Sequence, residues 1–90
     1  MSSMPQAEKV RLQVAILYNG QVREFIYHAH EHASVLLEQA RRAFGITINP
    51  HLMGLFDLAG RELSDGESLS ENHVKAGDEL ILRQSIVRGG

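Results

Sequence analysis

An Asn19-Gly20 pair stands between two segments of alternating polarity, and this arrangement constrains the fold more than any other feature. From Val10 the residues alternate: Val10, Leu12, Val14 and Ile16 point one way, Arg11 and Gln13 the other. Period two with β-branched residues reads as a half-buried strand. Asn-Gly is the strongest short hairpin signal, because a type I′ turn needs positive φ at both central residues. A return strand over about Gln21 to His28 then sets Phe25 across from Val14 and Tyr27 across from Leu12. Arg23 falls opposite Ile16, a poor match that predicts a bulge near the turn.

After the hairpin the period changes. Ser34 is the expected N-cap of a helix, its hydroxyl accepting a backbone N–H of the first turn. Leu36, Leu37, Ala40 and Phe44 recur at helical spacing, with Glu38, Gln39, Arg41 and Arg42 on the solvent side. Gly45 suits the left-handed residue that ends it. Leu52 to Leu58 reads as a strand, Ala59-Gly60 as a turn, Arg61-Glu62-Leu63 as a short strand and Ser64-Asp65-Gly66 as another turn. Ser70 to His73 suits one helical turn. Gly77-Asp78 leads into a last strand, about Glu79 to Gln84, whose Leu80 and Leu82 face the core. The order ββαβ(β)β predicts an α+β β-grasp, a mixed sheet packed on one helix with the last strand parallel to the first. Residues 1–8 are expected to be a flexible N-terminal segment, 9–84 the folded domain and 85–90 a flexible tail.

Composition narrows the function classes. Ninety residues make one domain near the lower end of what buries its own core. The apolar share of 43% with 22% charged residues fits a soluble folded chain. A net charge of -2 gives no case for nucleic acid or a membrane surface as partner. There is no cysteine, so disulfides, cysteine-based zinc sites and a thiol nucleophile in this chain are excluded. That suits a reducing cytoplasm. Met1 to Glu8 is polar, contains Pro5 and lacks the basic start and apolar centre of a signal peptide. No apolar run approaches membrane-spanning length.

The last residues, Ser85-Ile86-Val87-Arg88-Gly89-Gly90, leave the final strand for a Gly-Gly pair. Glycines lack a Cβ, lose the most entropy on ordering and thread where no other residue fits. Such a tail suits an enzyme tunnel that delivers a carboxylate to an activating group, which makes Gly90 the expected reactive residue.

With these elements in place, the segment Ala59-Gly60-Arg61-Glu62-Leu63-Ser64-Asp65-Gly66-Glu67-Ser68-Leu69-Ser70-Glu71-Asn72-His73-Val74 resembles the Ala-Gly-Lys-Gln-Leu-x-Asp-Gly-x-Thr-Leu-Ser-Asp-Tyr-Asn-Ile run of ubiquitin. Glu79-Leu80-Ile81-Leu82-Arg83 and Arg88-Gly89-Gly90 extend the match to most of residues 9–90, with about one extra residue before the tail. The Asn-Gly hairpin and the Gly-Asp-x-Leu approach to the last strand also resemble bacterial ubiquitin-like proteins, some of them similar to modifiers encoded beside their own enzymes.

The resemblance implies a protein modifier rather than an enzyme. An activating enzyme adenylates the Gly90 carboxylate with Mg-ATP, enzyme cysteines carry the acyl group as a thioester, and a target amine receives it as an isopeptide bond. The implied partners are an activating-like enzyme, a conjugating-like enzyme, a deconjugating protease and target proteins. The chain itself binds no cofactor and no metal, and is a monomer when free. Arg88 and Gly89 are the implied tail-recognition residues. A sulfur carrier forming a thiocarboxylate on the same glycine, and a noncovalent ubiquitin-like interaction module, are the alternatives.

Departures from the family pattern carry their own expectations. Asp57 and Arg83 stand where ubiquitin-type domains present an apolar receptor patch, so ordinary ubiquitin-reading receptors should bind poorly. Phe56, Asp57 and Arg83 are the candidate sheet-face contacts. Arg61 replaces the lysine of the Ala-Gly-Lys turn, and its guanidinium cannot accept an acyl group because it stays protonated. Lys9 and Lys75 are the candidate acceptor amines.

His28, His30 and His32 would share one face of an extended strand and suit zinc or nickel, but they fall where the strand gives way to a loop and read as exposed histidines. His51 and His73 read as surface or partly packed. Asp65, Glu67 and Glu71 lack a paired base or nucleophile, so they read as turn and solvated charge.

Overall fold

The computed structural model describes residues 11–89. Strand β1 (Arg11–Tyr18) turns at Asn19 and Gly20, with φ of 50° and 82°, into strand β2 (Gln21–His28). Positive φ at both turn residues matches the twist of the flanking strands, which is why Asn-Gly is favoured there. The expected register holds: Val14 pairs with Phe25 and Leu12 with Tyr27. The expected bulge is absent, because the ladder runs unbroken through Ile16 and Arg23. Arg23 fits without one because β2 is an edge strand. Its guanidinium lies 5.7 Å from the centre of the Phe44 ring, so the charge stays in water while the side chain covers an aromatic face.

Helix α1 (Ala33–Ala43) starts two residues before the expected position, with His32 rather than Ser34 at the N-cap. No side chain caps it. The peptide N–H groups of Ala33 and Ser34 instead donate to the carbonyls of Glu67 and Asp65, at 2.9 and 3.3 Å. A loop distant in sequence thus satisfies donors at the helix start, where a local hydroxyl cap was expected. At the other end Gly45 has φ of 67°, and Ile46 N–H reaches back to the Arg41 carbonyl at 3.0 Å, closing the helix in left-handed geometry as expected.

A single 3₁₀ turn (Pro50–Leu52) precedes strand β3 (Met53–Phe56), which is shorter than the expected Leu52–Leu58 strand. Proline at the start of that turn takes Leu52 out of the extended conformation. Arg61–Leu63 is not a ladder strand: it touches β3 through an isolated bridge between Phe56 and Glu62. Strand β4 (Glu79–Gln84) falls where expected. It lies parallel to β1 and antiparallel to β3, so the sheet order is β2-β1-β4-β3. Helix α1 crosses one face, and the core between them holds Val14, Ile16, Leu36, Leu55, Leu80 and Leu82. The fold is the α+β β-grasp expected from the element order.

Candidate functional site

The chain leaves the sheet at Ser85. Strand β4 is held from both sides, by β1 along Glu79–Ile81 and by β3 along Ile81–Gln84. One residue later Ser85 is fully buried. Its N–H donates to the Leu52 carbonyl at 2.8 Å, and its hydroxyl bonds Glu62 Oε1 at 2.8 Å. Beyond this clamp burial stops: Ile86 and Val87 are 84% and 83% exposed. Ile86–Gly89, within the segment expected to be a flexible tail, form one helical turn, α2. Two β-branched residues and a glycine are poor helix formers, so propensity adds little to this turn. Gly90, Lys9 and the side chain of Arg88 lie outside the described residues.

The sheet-face candidates are placed as follows. The β3–β4 register sets Phe56 beside Ile81 on the face away from α1. Phe56 nonetheless stays only 6% exposed, because the Arg83 guanidinium lies 3.7 Å from its ring centre. The ring is thereby roofed by a cation, and an apolar probe meets charge there instead of an open aromatic face. Asp57 serves its own turn. One carboxylate oxygen accepts the N–H groups of Ala59 and Arg61 at 3.0 and 2.9 Å, and the other faces Arg61 Nε at 3.4 Å. The Arg61 N–H above all, with the Ala59 N–H and the guanidinium adding to it, holds this carboxyl below the usual carboxylate range. Local hydrogen bonding therefore accounts for an acid at this position.

Lys75 is exposed, and its peptide N–H donates to Asp78 Oδ2 at 2.8 Å. The histidines do not line up, because β2 stops at His28 and a turn follows. His30 and His32 are exposed and His28 is partly buried. Among the described residues no group of three or more His, Asp or Glu side chains is placed to hold a metal ion. His51 and His73 are exposed, and His73 takes φ of 65°.

Two features of the β3–β4 connection were missed in the sequence. Ser68 and Glu71 form a reciprocal capping box: Ser68 N–H donates to Glu71 Oε1 at 2.8 Å and Glu71 N–H donates to Ser68 Oγ at 3.0 Å. The Ser-x-x-Glu spacing was there to be read. The Ser68 N–H first, and then the Ser68 side chain, hold the Glu71 carboxyl below its ordinary range, so Glu71 is not the merely solvated charge expected. Asn72 is the second. It is buried, and its Nδ2 donates to Ser68 O at 2.9 Å within a wider set of loop contacts. No local pattern announces it.

No family model matches the sequence, and no curated protein does. Solved structures of ubiquitin and ubiquitin-like domains match. Ubiquitin of Caldiarchaeum subterraneum superposes with a TM-score of 0.73 at 21% identity, over 90% of this chain and 100% of that one. The ubiquitin-like domain of an Arabidopsis thaliana protein gives 0.74 at 19% identity, over 98% and 93% of the two chains. A de novo designed protein based on ubiquitin gives 0.72 at 21% identity, over 84% and 90%. The chain has the ubiquitin-like fold.

Proposed function

We propose that this chain is a protein modifier that is joined to target amines through the carboxylate of Gly90. The observation that carries the reading is the exit at Ser85, where burial ends abruptly and the next residues project into solvent. A donor carboxylate must reach into an enzyme while the domain stays folded outside it. A clamp at Ser85 followed by exposed residues ending in two glycines meets that need.

The chemistry follows. The Gly90 carboxylate attacks the α-phosphate of ATP and expels pyrophosphate, giving an acyl adenylate. An enzyme thiolate then displaces AMP, and a target amine displaces the thiolate to leave an amide. A carboxylate is a poor acyl donor until its oxygen becomes a good leaving group, and the relay divides one hard step into easier ones. The chain supplies the acyl group, and partner enzymes supply catalysis and Mg-ATP. Arg88 and Gly89 set the register of the tail in the tunnel, and Lys75 and Lys9 are the amines a second copy would use. A Gly-Gly pair freed by a protease gives the same carboxylate as a chain end. ATP and reduced thiols are cytoplasmic resources, so the reading carries a cytoplasmic location with it. Among the described residues no helix is long and apolar enough to cross a membrane.

The test is incubation of the purified protein with ATP and an extract of its own cells. A thiol-reducible adduct, and Gly-Gly remnants on target lysines after digestion, are expected. A terminal mass gain of sulfur for oxygen would reassign the chain as a sulfur carrier. An unmodified Gly90 would leave a noncovalent interaction module. Deleting Gly90, or Gly89→Trp, should abolish the adduct without unfolding the domain, and normal charging of either variant would sink the tunnel argument.

A further inference from the structure

Ser85 is a fixed point, and the chain beyond it has a countable length. The clamp draws on two segments that the body itself holds. The Leu52 carbonyl, which accepts the Ser85 N–H, belongs to the 3₁₀ turn just before β3. Glu62, which bonds the hydroxyl, is tied to β3 on both sides. The Asp57 N–H donates to the Arg61 carbonyl and the Leu63 N–H to the Leu55 carbonyl, each at 2.9 Å. Fraying at the end of a strand is ordinary, so two such bonds on a fully buried residue mark a stop. Five residues, Ile86 to Gly90, then separate this stop from the reacting carbonyl.

We propose, building on the modifier reading, that the Glu62–Ser85 clamp fixes the reach of the tail and that both are positioning residues for activation of Gly90. A slot narrow enough to select glycines excludes a four-stranded sheet with its helix. Only Ile86 to Gly90 can therefore enter the enzyme. Extended, five residues span about 17 Å. Wound as in α2, four of them advance only about 6 Å. The turn must unwind on entry, and the body meets the rim of the slot as the carboxylate arrives. The partner is then an activating enzyme whose reacting phosphate lies about 17 Å inside that rim, at the full stretch of this tail.

Tail length and the fixity of Ser85 then act against each other. Loss of one tail residue withdraws the carboxylate by about 3.4 Å, because the body cannot follow it into the slot. Misplacement by about 1 Å already costs on the order of a hundredfold in rate. Freeing Ser85 moves the stop back to Gln84, the last residue paired with β3, and adds one residue to the tail. The two changes are equal and opposite, so breaking the clamp repairs a shortened tail. A residue that only stabilised the fold could not act this way, because its loss would lower activity in every background.

Exchange of labelled pyrophosphate into ATP tests it, in an extract of the protein's own cells depleted of the native chain and resupplied with each purified variant. Adenylation of Gly90 is reversible, so the exchange reads it, and circular dichroism confirms folding. Deleting Val87 should lower the rate at least about a hundredfold. Deleting Ile86 should do the same, although a different side chain is lost. Adding Ser85→Pro, which removes both the N–H and the hydroxyl, should recover at least about tenfold over the Val87 deletion. Where proline unfolds the domain, Glu62→Ala in the same deletion carries the test, since it removes only the partner of the hydroxyl. Shortened tails that charge like the native chain would overturn the proposal and leave the modifier reading standing. So would a freed Ser85 that restores nothing in folded protein. A native chain that drives no exchange would overturn both.

Discussion

The side-chain amide of Asn72 bonds both sides of the Ser64 residue: Oδ1 accepts the Ser64 N–H at 2.8 Å, and Nδ2 donates to the Ser64 carbonyl at 3.0 Å. The same Nδ2 faces the carbonyls of Ser68 and Glu67 at 2.9 and 3.4 Å. One buried side chain thus pins the segment whose carbonyls cap α1, and so joins the β3–β4 connection to the helix.

Asn72→Asp should therefore be harmful although it keeps the shape. It replaces a donor facing three carbonyls by an oxygen that repels them. A loss of about 1–3 kcal/mol is expected from unsatisfied buried groups alone, with more if the carboxylate stays ionised. Urea unfolding of the variant beside Asn72→Ala measures it. Equal or greater stability of Asn72→Asp would show that the amide's donors do not matter.

Core burial of β4 makes a plainer prediction. Leu80 and Leu82 are each 1% exposed, so changing either to Ala should cost about 2–5 kcal/mol. Thermal melting of both variants checks this, and unchanged midpoints would refute the packing.

Asp57 predicts a pH dependence. Its carboxyl is held below the unfolded value by N–H donors, so its contribution is fully present above that value, about 3.9. It is lost as pH falls through the lower folded value. The stability difference between the native chain and Asp57→Asn should be flat from neutral pH down to about pH 5 and shrink below about pH 4. Chemical unfolding across that range reads it out. A difference that grows on acidification would mean the folded carboxyl titrates above the unfolded one.

The capping box gives a coupled pair. Ser68→Ala and Glu71→Ala should each destabilise by about 0.5–2 kcal/mol, and the double variant by less than their sum, because both bonds hold the same turn and losing one lets it open and weakens the other. Additive losses would show that the two caps act separately.

Much of this was legible beforehand, and the reasons are local. Asn19-Gly20 dictates its turn through φ alone, and with a two-residue loop the whole β1–β2 register follows. Gly45 ends α1 for the same kind of reason. The misses share the opposite character. The bulge expected at Arg23 vanished because Phe44, just past the end of the helix, lies beneath that guanidinium. Ser34 lost the cap because Glu67 and Asp65 supply carbonyls from across the molecule. Phe56 lies on the sheet's outer face but is closed by Arg83 from the neighbouring strand, a relation visible only once β3 and β4 are in register.

What the sequence determined by itself is the set of elements, their order and their turns, because backbone conformation and periodicity are properties of neighbouring residues. What only the tertiary structure decided is which polar groups satisfy one another at a distance and which apolar side chains stay exposed. Hydrogen bonds such as those of Asn72, and the stacking of Arg83 on Phe56, join residues far apart along the chain, and no short stretch of it encodes them.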